Sequence, residues 1–386
     1  MREIVDMSDK ITLTTIQGLA VMYSCSSVMG KDRLGWTYLV RASNAVSLLR
    51  SPNVDLPETV VSEHLDHLEL GFFGAAILSC ISLQKTPPMD IPKCPYLPIH
   101  QANQGQWFPY PLQIDPVPEA HRNCVLKRRV ILGEYTSILT HGLFGDDGRP
   151  PRADIQVMVD KCYNGLLRWN EEHPKCLHYT NQSVPEILSL HMYYHLIIMS
   201  GFGFLKVPVP DADQVTLESI SAARETCIVS ARAISDLVAI YRSRWGPDRA
   251  TCSDAQYICI ALFMLMDDLD NQVSHSAFLN LARAAMAMSA RWLLLKGMFR
   301  QVQIITFQSN ETLSPDIVKL SKRFERRLWR SEDRRRFSSA YPNFAAALQA
   351  QDEHIPEDLE MDQFLEIWND FSIADQADFS ASEIGE

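Results

Sequence analysis

Residues 11–30, ITLTTIQGLAVMYSCSSVMG, followed by residues 31–50, KDRLGWTYLVRASNAVSLLR, set the fold class. Ile11, Thr15, Leu19 and Met22 recur at the spacing of one helix face, which predicts a helix over Ile11–Met29. Gly30 and the charged Lys31-Asp32-Arg33 break it. The pattern then restarts. Trp36, Leu39, Val40, Ala42 and Val46 fall on a second helix over Leu34–Arg50, which Ser51-Pro52-Asn53 ends.

The same period continues outward. It predicts helices over Glu58–Gln84, Glu119–His141, Asp154–Glu172, Val184–Phe204, Gln214–Trp245, Ser253–Met266 and Ser276–Phe307, then an Arg-loaded helix and loop over Glu311–Leu348. Alternating strand patterns of useful length are absent. Residues 86–118 hold nine prolines, which neither a helix nor a central strand accommodates. The expected fold is all-α: a large helical array with a Pro-rich crossing segment and a mostly disordered acidic C-terminal tail. Its parts are 1–85, a first helical part; 86–118, the crossing segment; 119–350, a second helical part; and 351–386, the tail.

Charge sharpens that division. The chain carries 36 Lys and Arg against 47 Asp and Glu, a formal net charge of −11. Twelve of the acids and no Lys or Arg lie in 351–386, so the body before it is nearly neutral. The opening residues have no apolar leader region, and Phe72–Leu83 and Tyr257–Met266 fall short of the ~20 apolar residues of a spanning helix. A soluble, non-secreted protein with no membrane partner is expected. Nine scattered cysteines, none in a Cys-x2-Cys pair, read as reduced thiols, mostly small buried hydrophobes.

Four features invite chemistry. Asp267-Asp268-Leu269-Asp270 ends an apolar helix, and clustered carboxylates hold magnesium diphosphate in helical terpenoid synthases. The spacing is imperfect and a second metal motif is missing, so a surface acidic turn is the expectation. His191 and His195 stand i,i+4 on one helix face, a zinc-capable spacing. With Met192 in place of a catalytic Glu and no third ligand, packing is expected instead. Between Lys319 and Arg336 lie nine Lys and Arg against three acids, and Arg326, Arg327, Arg330, Arg334, Arg335 and Arg336 form a candidate nuclear-import patch or a solvated helix face. Finally, Glu357–Phe371 interleaves acids with large apolar groups. Phe364, Ile367, Trp368 and Phe371 would form one apolar stripe if the segment became helical on a partner. Docking on the chain's own body is the competing reading. No catalytic, metal or cofactor residue is assigned.

Several blocks then resemble a known family. Thr15-Ile16-Gln17 with Gly35-Trp36-Thr37-Tyr38, Ala42, Ala45 and Leu48-Leu49 is similar to the opening helical pair of the middle homology region of fungal zinc binuclear-cluster transcription factors, nitrate-assimilation type. Gly71-Phe72-Phe73 through Lys85-Thr86-Pro87-Pro88 resembles its next block. Leu167-Arg168-Trp169-Asn170 through Pro174, Leu188–His195, Cys227–Ala239 with Tyr241 and Trp245, Met288–Trp292 with Lys296-Gly297-Met298, and Tyr341-Pro342-Asn343-Phe344 continue the likeness.

The resemblance implies a nuclear transcription regulator, shuttling with the cytoplasm as an option, and not an enzyme. Its partners would be a transcriptional coactivator or a zinc-cluster transcription factor, with a small molecule as a further effector. Zinc belongs to the family's six-cysteine N-terminal module, whose paired Cys-x2-Cys elements this sequence lacks. Cys252 and Cys259 have a gap found in such clusters but sit on a predicted helix. No cofactor and no direct sequence-specific DNA binding are therefore expected. Three other readings stay open: a DNA-binding-deficient partner that dampens a full-length factor, a truncated factor and, more distantly, a magnesium-dependent terpenoid-type synthase.

Overall fold

A computed structural model describes residues 11–50, 62–92, 105–108, 117–145, 150–246, 250–309 and 313–330. These form eleven α-helices: α1 (Leu13–Val28), α2 (Asp32–Leu49), α3 (Ser62–Leu83), α4 (Arg122–Phe144), α5 (Arg152–Glu171), α6 (Pro185–Leu205), α7 (Gln214–Arg244), α8 (Cys252–Leu265), α9 (Gln272–Met288), α10 (Leu293–Ser309) and α11 (Pro315–Arg327). Among the described residues there is no strand, only one isolated antiparallel bridge between Gln106 and Glu119. The tail expected at 351–386 lies outside the described residues.

The opening pair folds as expected, with part of its apolar face only half-buried. Gly30, at φ 68°, closes α1 in the left-handed region that glycine tolerates, and Lys31 N–H returns to the Ser26 carbonyl at 2.8 Å. Gly35 then lets the two helices meet: a Cβ there would stand 2.9 Å from Ser27 Oγ and 3.3 Å from the Tyr23 carbonyl. The buried stripe of α1 is Ile16, Leu19 and Ser26; Leu19 is buried as expected, while Ile11, Thr15 and Met22 at its edge are half-buried. Tyr23 Oη bonds Ser79 Oγ at 2.8 Å, which draws that stripe toward α3. On α2, Leu39, Ala42 and Val46 are buried as expected, whereas Trp36 and Val40 are only partly so.

The second correction concerns Ser276–Phe307. It is two helices, broken at Ser289–Trp292, where Arg291 and Trp292 N–H both turn back to the Met288 carbonyl. The helical period alone does not see the break, because both halves are apolar and no Gly or Pro marks it.

Helix α6 is the axis, packed on by α4, α5, α7 and α8. Its apolar run is long enough to cross a membrane, contrary to the length expected, yet 94% of its most apolar window is buried inside the protein. Leu65–Leu83 of α3 passes the same length test and is 61% buried. Both are core helices here. The helices on either side of the Pro-rich segment share one continuous apolar core, from Leu39 and Phe73 to Leu190, Leu262 and Phe299. Gln256 of α8 donates across it to the Leu78 carbonyl of α3 at 3.1 Å and bonds Ser82 Oγ.

Candidate functional site

Asp267 and Asp268 lie in a 3-10 turn after α8, where each pairs with a cation. Asp267 pairs with Lys206 at the end of α6, and its carbonyl accepts from Arg224. Asp268 pairs with Arg232 at 2.7 Å and accepts from Ser274 Oγ at 2.5 Å, so the acids clamp the turn to α6, α7 and α9. No group of three or more His, Cys, Asp or Glu side chains able to hold a metal occurs among the described residues. Cys259 is fully buried in α8, and every described cysteine is a free thiol. Arg326, Arg327 and Arg330 are exposed at and after the end of α11. Arg334, Arg335, Arg336, Phe364, Ile367, Trp368 and Phe371 lie outside the described residues.

His191 enters an aromatic cluster. Its Nε2 bonds the Leu177 carbonyl at 2.9 Å, and its ring meets Tyr179 at 4.8 Å, His173 at 5.1 Å and Trp169 at 6.1 Å. Trp169 stacks on Tyr194 at 5.4 Å, donates from Nε1 to the Arg128 carbonyl at 3.1 Å and lies under the Arg128 guanidinium. His195 lies against Tyr194 at 5.0 Å. Burial disfavours the charged imidazolium, with neighbouring positive groups adding to it. His173 is lowered to about 4 and His195 to about 3, and His191 is lowered as well. These rings are neutral packing elements near neutral pH.

A different site forms where helix ends converge. A cavity of about 540 Å³ opens between the first turns of α6 and α8 and the last turn of α7. Pro185 starts α6, where its missing N–H costs nothing, and Glu186 follows in the first turn. Thr251 and Asp254 form a capping box that starts α8: Asp254 Oδ2 accepts from Thr251 N–H at 2.8 Å and Oγ1 at 2.9 Å. Trp245, just past α7, is fixed by its indole N–H on the Ser183 carbonyl at 2.9 Å.

Trp107 and Phe108, from the described part of the Pro-rich stretch, also line the cavity. Trp107 N–H bonds the Pro118 carbonyl at 2.8 Å, and its ring meets Trp245 edge-on at 6.5 Å. Arg129 of α4, Ser189 of α6, Tyr241 of α7 and Arg291 after α9 also line it. Asp254 is 1% exposed, and besides the Thr251 cap its carboxylate is favoured by the Ser189 hydroxyl and the Arg129 charge; its Oδ1, the buried Oε2 of Glu186 and the Nε1 of Trp107 make no hydrogen bond of full geometry. Burial raises both carboxyls above their ordinary range.

Sequence reasoning missed this site. The Thr-x-x-Asp of 251–254 and the Pro-Glu of 185–186 read as helix starts, and Ser189, Tyr241, Trp245 and Arg291 stand out only as parts of the family likeness. Their meeting with Trp107 is a product of the packing.

No family model matches the chain, and no solved structure matches it. Two curated proteins do. The chain is 30% identical over 323 residues to the notoamide biosynthesis transcriptional activator of Aspergillus versicolor, covering 80% of this chain and 52% of that protein. It is 24% identical over 271 residues to a nitrogen assimilation transcription factor of Neurospora crassa, covering 66% of this chain and 24% of that protein. The chain is thus similar, along most of its own length, to fungal transcription regulators of which it spans about half and about a quarter.

Proposed function

We propose that this chain is a transcription regulator whose helical body belongs to the middle homology region of the zinc-cluster factors and which carries no DNA-reading cluster within its 386 residues. The observation that supports this reading is the likeness over 323 residues to a protein named as a transcriptional activator. The sequence has no Cys-x2-Cys pair from which a binuclear zinc cluster could be closed. The partner proposed for it is a zinc-cluster transcription factor, in the nucleus, with the basic patch of Arg326, Arg327, Arg330, Arg334, Arg335 and Arg336 serving import.

The acidic segment is the output. Its acids keep it solvated while Phe364, Ile367, Trp368 and Phe371 remain available to a coactivator groove, as an i, i+3, i+4, i+7 stripe. Fusion of residues 355–375 to a heterologous DNA-binding domain should activate a reporter. Alanine at Phe364, Trp368 and Phe371 together should return the output to background. Activation that persists in that triple variant would remove the segment's role.

A further inference from the structure

We infer that the cavity between the starts of α6 and α8 is a binding site for a small organic cation: an amidinium, guanidinium or ammonium group carried on a flat apolar body. At about 540 Å³ it lies within the ~300–1,000 Å³ range of small-molecule sites.

The sign of the ligand's charge follows from which groups are left unmet. Two lining acceptors make no hydrogen bond of full geometry, Asp254 Oδ1 and Glu186 Oε2, against one lining donor, Trp107 Nε1. Asp254 is the more telling, since it is 1% exposed and its other oxygen is already filled by the Thr251 cap. The Arg129 charge favours the ionised Asp254 but supplies no hydrogen bond to Oδ1. Arg129 donates to Tyr257 Oη at 3.4 Å and lies 5.7 Å from the centre of the Tyr193 ring, and Arg291 has a partner of its own.

A buried carboxylate oxygen without a full hydrogen bond costs more than an exposed one, and an incoming N–H cation relieves that cost with a charge-assisted hydrogen bond. The body of the ligand is set by the walls. Trp107 and Trp245 meet edge to face, and Tyr241 lines the same space, so a planar apolar group and a cation both find aromatic surface. Trp107 is carried by the crossing segment and Trp245 by the end of α7. Occupation would therefore bear on the contact between Trp107 and Trp245, which is where the proposed regulatory function would sense the ligand. Binding itself does not depend on that reading.

Titration calorimetry of the whole chain with benzamidine, benzamide and benzoate separates charge from shape, because the three differ chiefly in the polar group. Benzamidine should bind about tenfold or more tighter than benzamide, the effect of one charge-assisted bond, and benzoate should not bind. Asp254→Asn and Glu186→Gln should each weaken benzamidine about tenfold, and circular dichroism should show both variants folded. Glu186→Gln serves as the second variant, since it leaves the α8 cap intact. Equal affinities for the three compounds, preference for benzoate, no benzamidine binding at millimolar concentration, or binding unchanged in both variants would each overturn the inference. Because the readout is direct binding, its failure leaves the transcriptional reading standing, and failure of the reporter leaves the site standing.

Discussion

Helix α6 carries buried ionisable groups of two opposite kinds. Around its middle, His191 and His195 lie among Trp169, His173, Tyr179 and Tyr194, in a cluster closed by rings. At its start, Glu186 lines the same cavity as Asp254, with one oxygen of each making no hydrogen bond of full geometry. The same helix is packed shut in one place and left hollow in another. The difference lies in what each neighbour contributes. The side of α5 and its following turn offers aromatic surface that fills volume. The ends of α7 and α8 offer caps and first-turn acids, whose polar atoms must stay near the helix termini and cannot fill the space between them.

The sharpest break of this comparison is Trp169→Ala. Trp169 is 3% exposed and holds Tyr194, His173 and Arg128 in place. Its loss should cost about 3–5 kcal/mol in urea denaturation. Benzamidine binding at the cavity should survive wherever the protein remains folded.

Acid should then separate the two ends by sign. The cluster histidines have folded values below the ordinary 6.5, at about 4 for His173 and about 3 for His195, so the unfolded chain takes up protons first. Their contribution is complete above pH 6.5 and is lost as pH falls toward 4 and below. Asp254 and Glu186 have folded values above their ordinary 3.8 and 4.5. Their contribution is present below those values and is lost as pH rises through the folded ones. The urea midpoint should accordingly drop from pH 6.5 to 4 in the native chain, and His195→Phe should flatten that drop. Asp254→Asn should act on the other limb, reducing the loss on raising pH. A native midpoint flat over this range would break the assignment of neutral histidines.

The smallest effect on stability is expected at Trp107. It is half-buried, and its pairing with Pro118 is made by the backbone. Trp107→Ala should lower stability by about 1 kcal/mol, within the common range for single substitutions, while weakening benzamidine several-fold by removing one aromatic wall. A large loss of stability in this variant would make the wall structural.

The sequence by itself determined that the chain is helical and nearly where each helix runs. Apolar residues at three-to-four spacing between Gly, Pro and charged breaks leave few other ways to bury them, as α1, α2 and α7 show. It also located the acidic stretch at 351–386, which follows from composition alone. His191 was legible as packing because its neighbours in sequence are apolar and aromatic. Where both sides of a turn are apolar, as at Ser289–Trp292, local pattern could not place the break. The depth to which α1 is buried, the two buried membrane-length helices and the cavity were decided only by tertiary structure. Trp107, Glu186, Trp245 and Asp254 have no periodic relation along the chain. Each is specified locally as a helix start, a helix end or a crossing residue, and only the packing of α6, α7 and α8 brings them to one hollow.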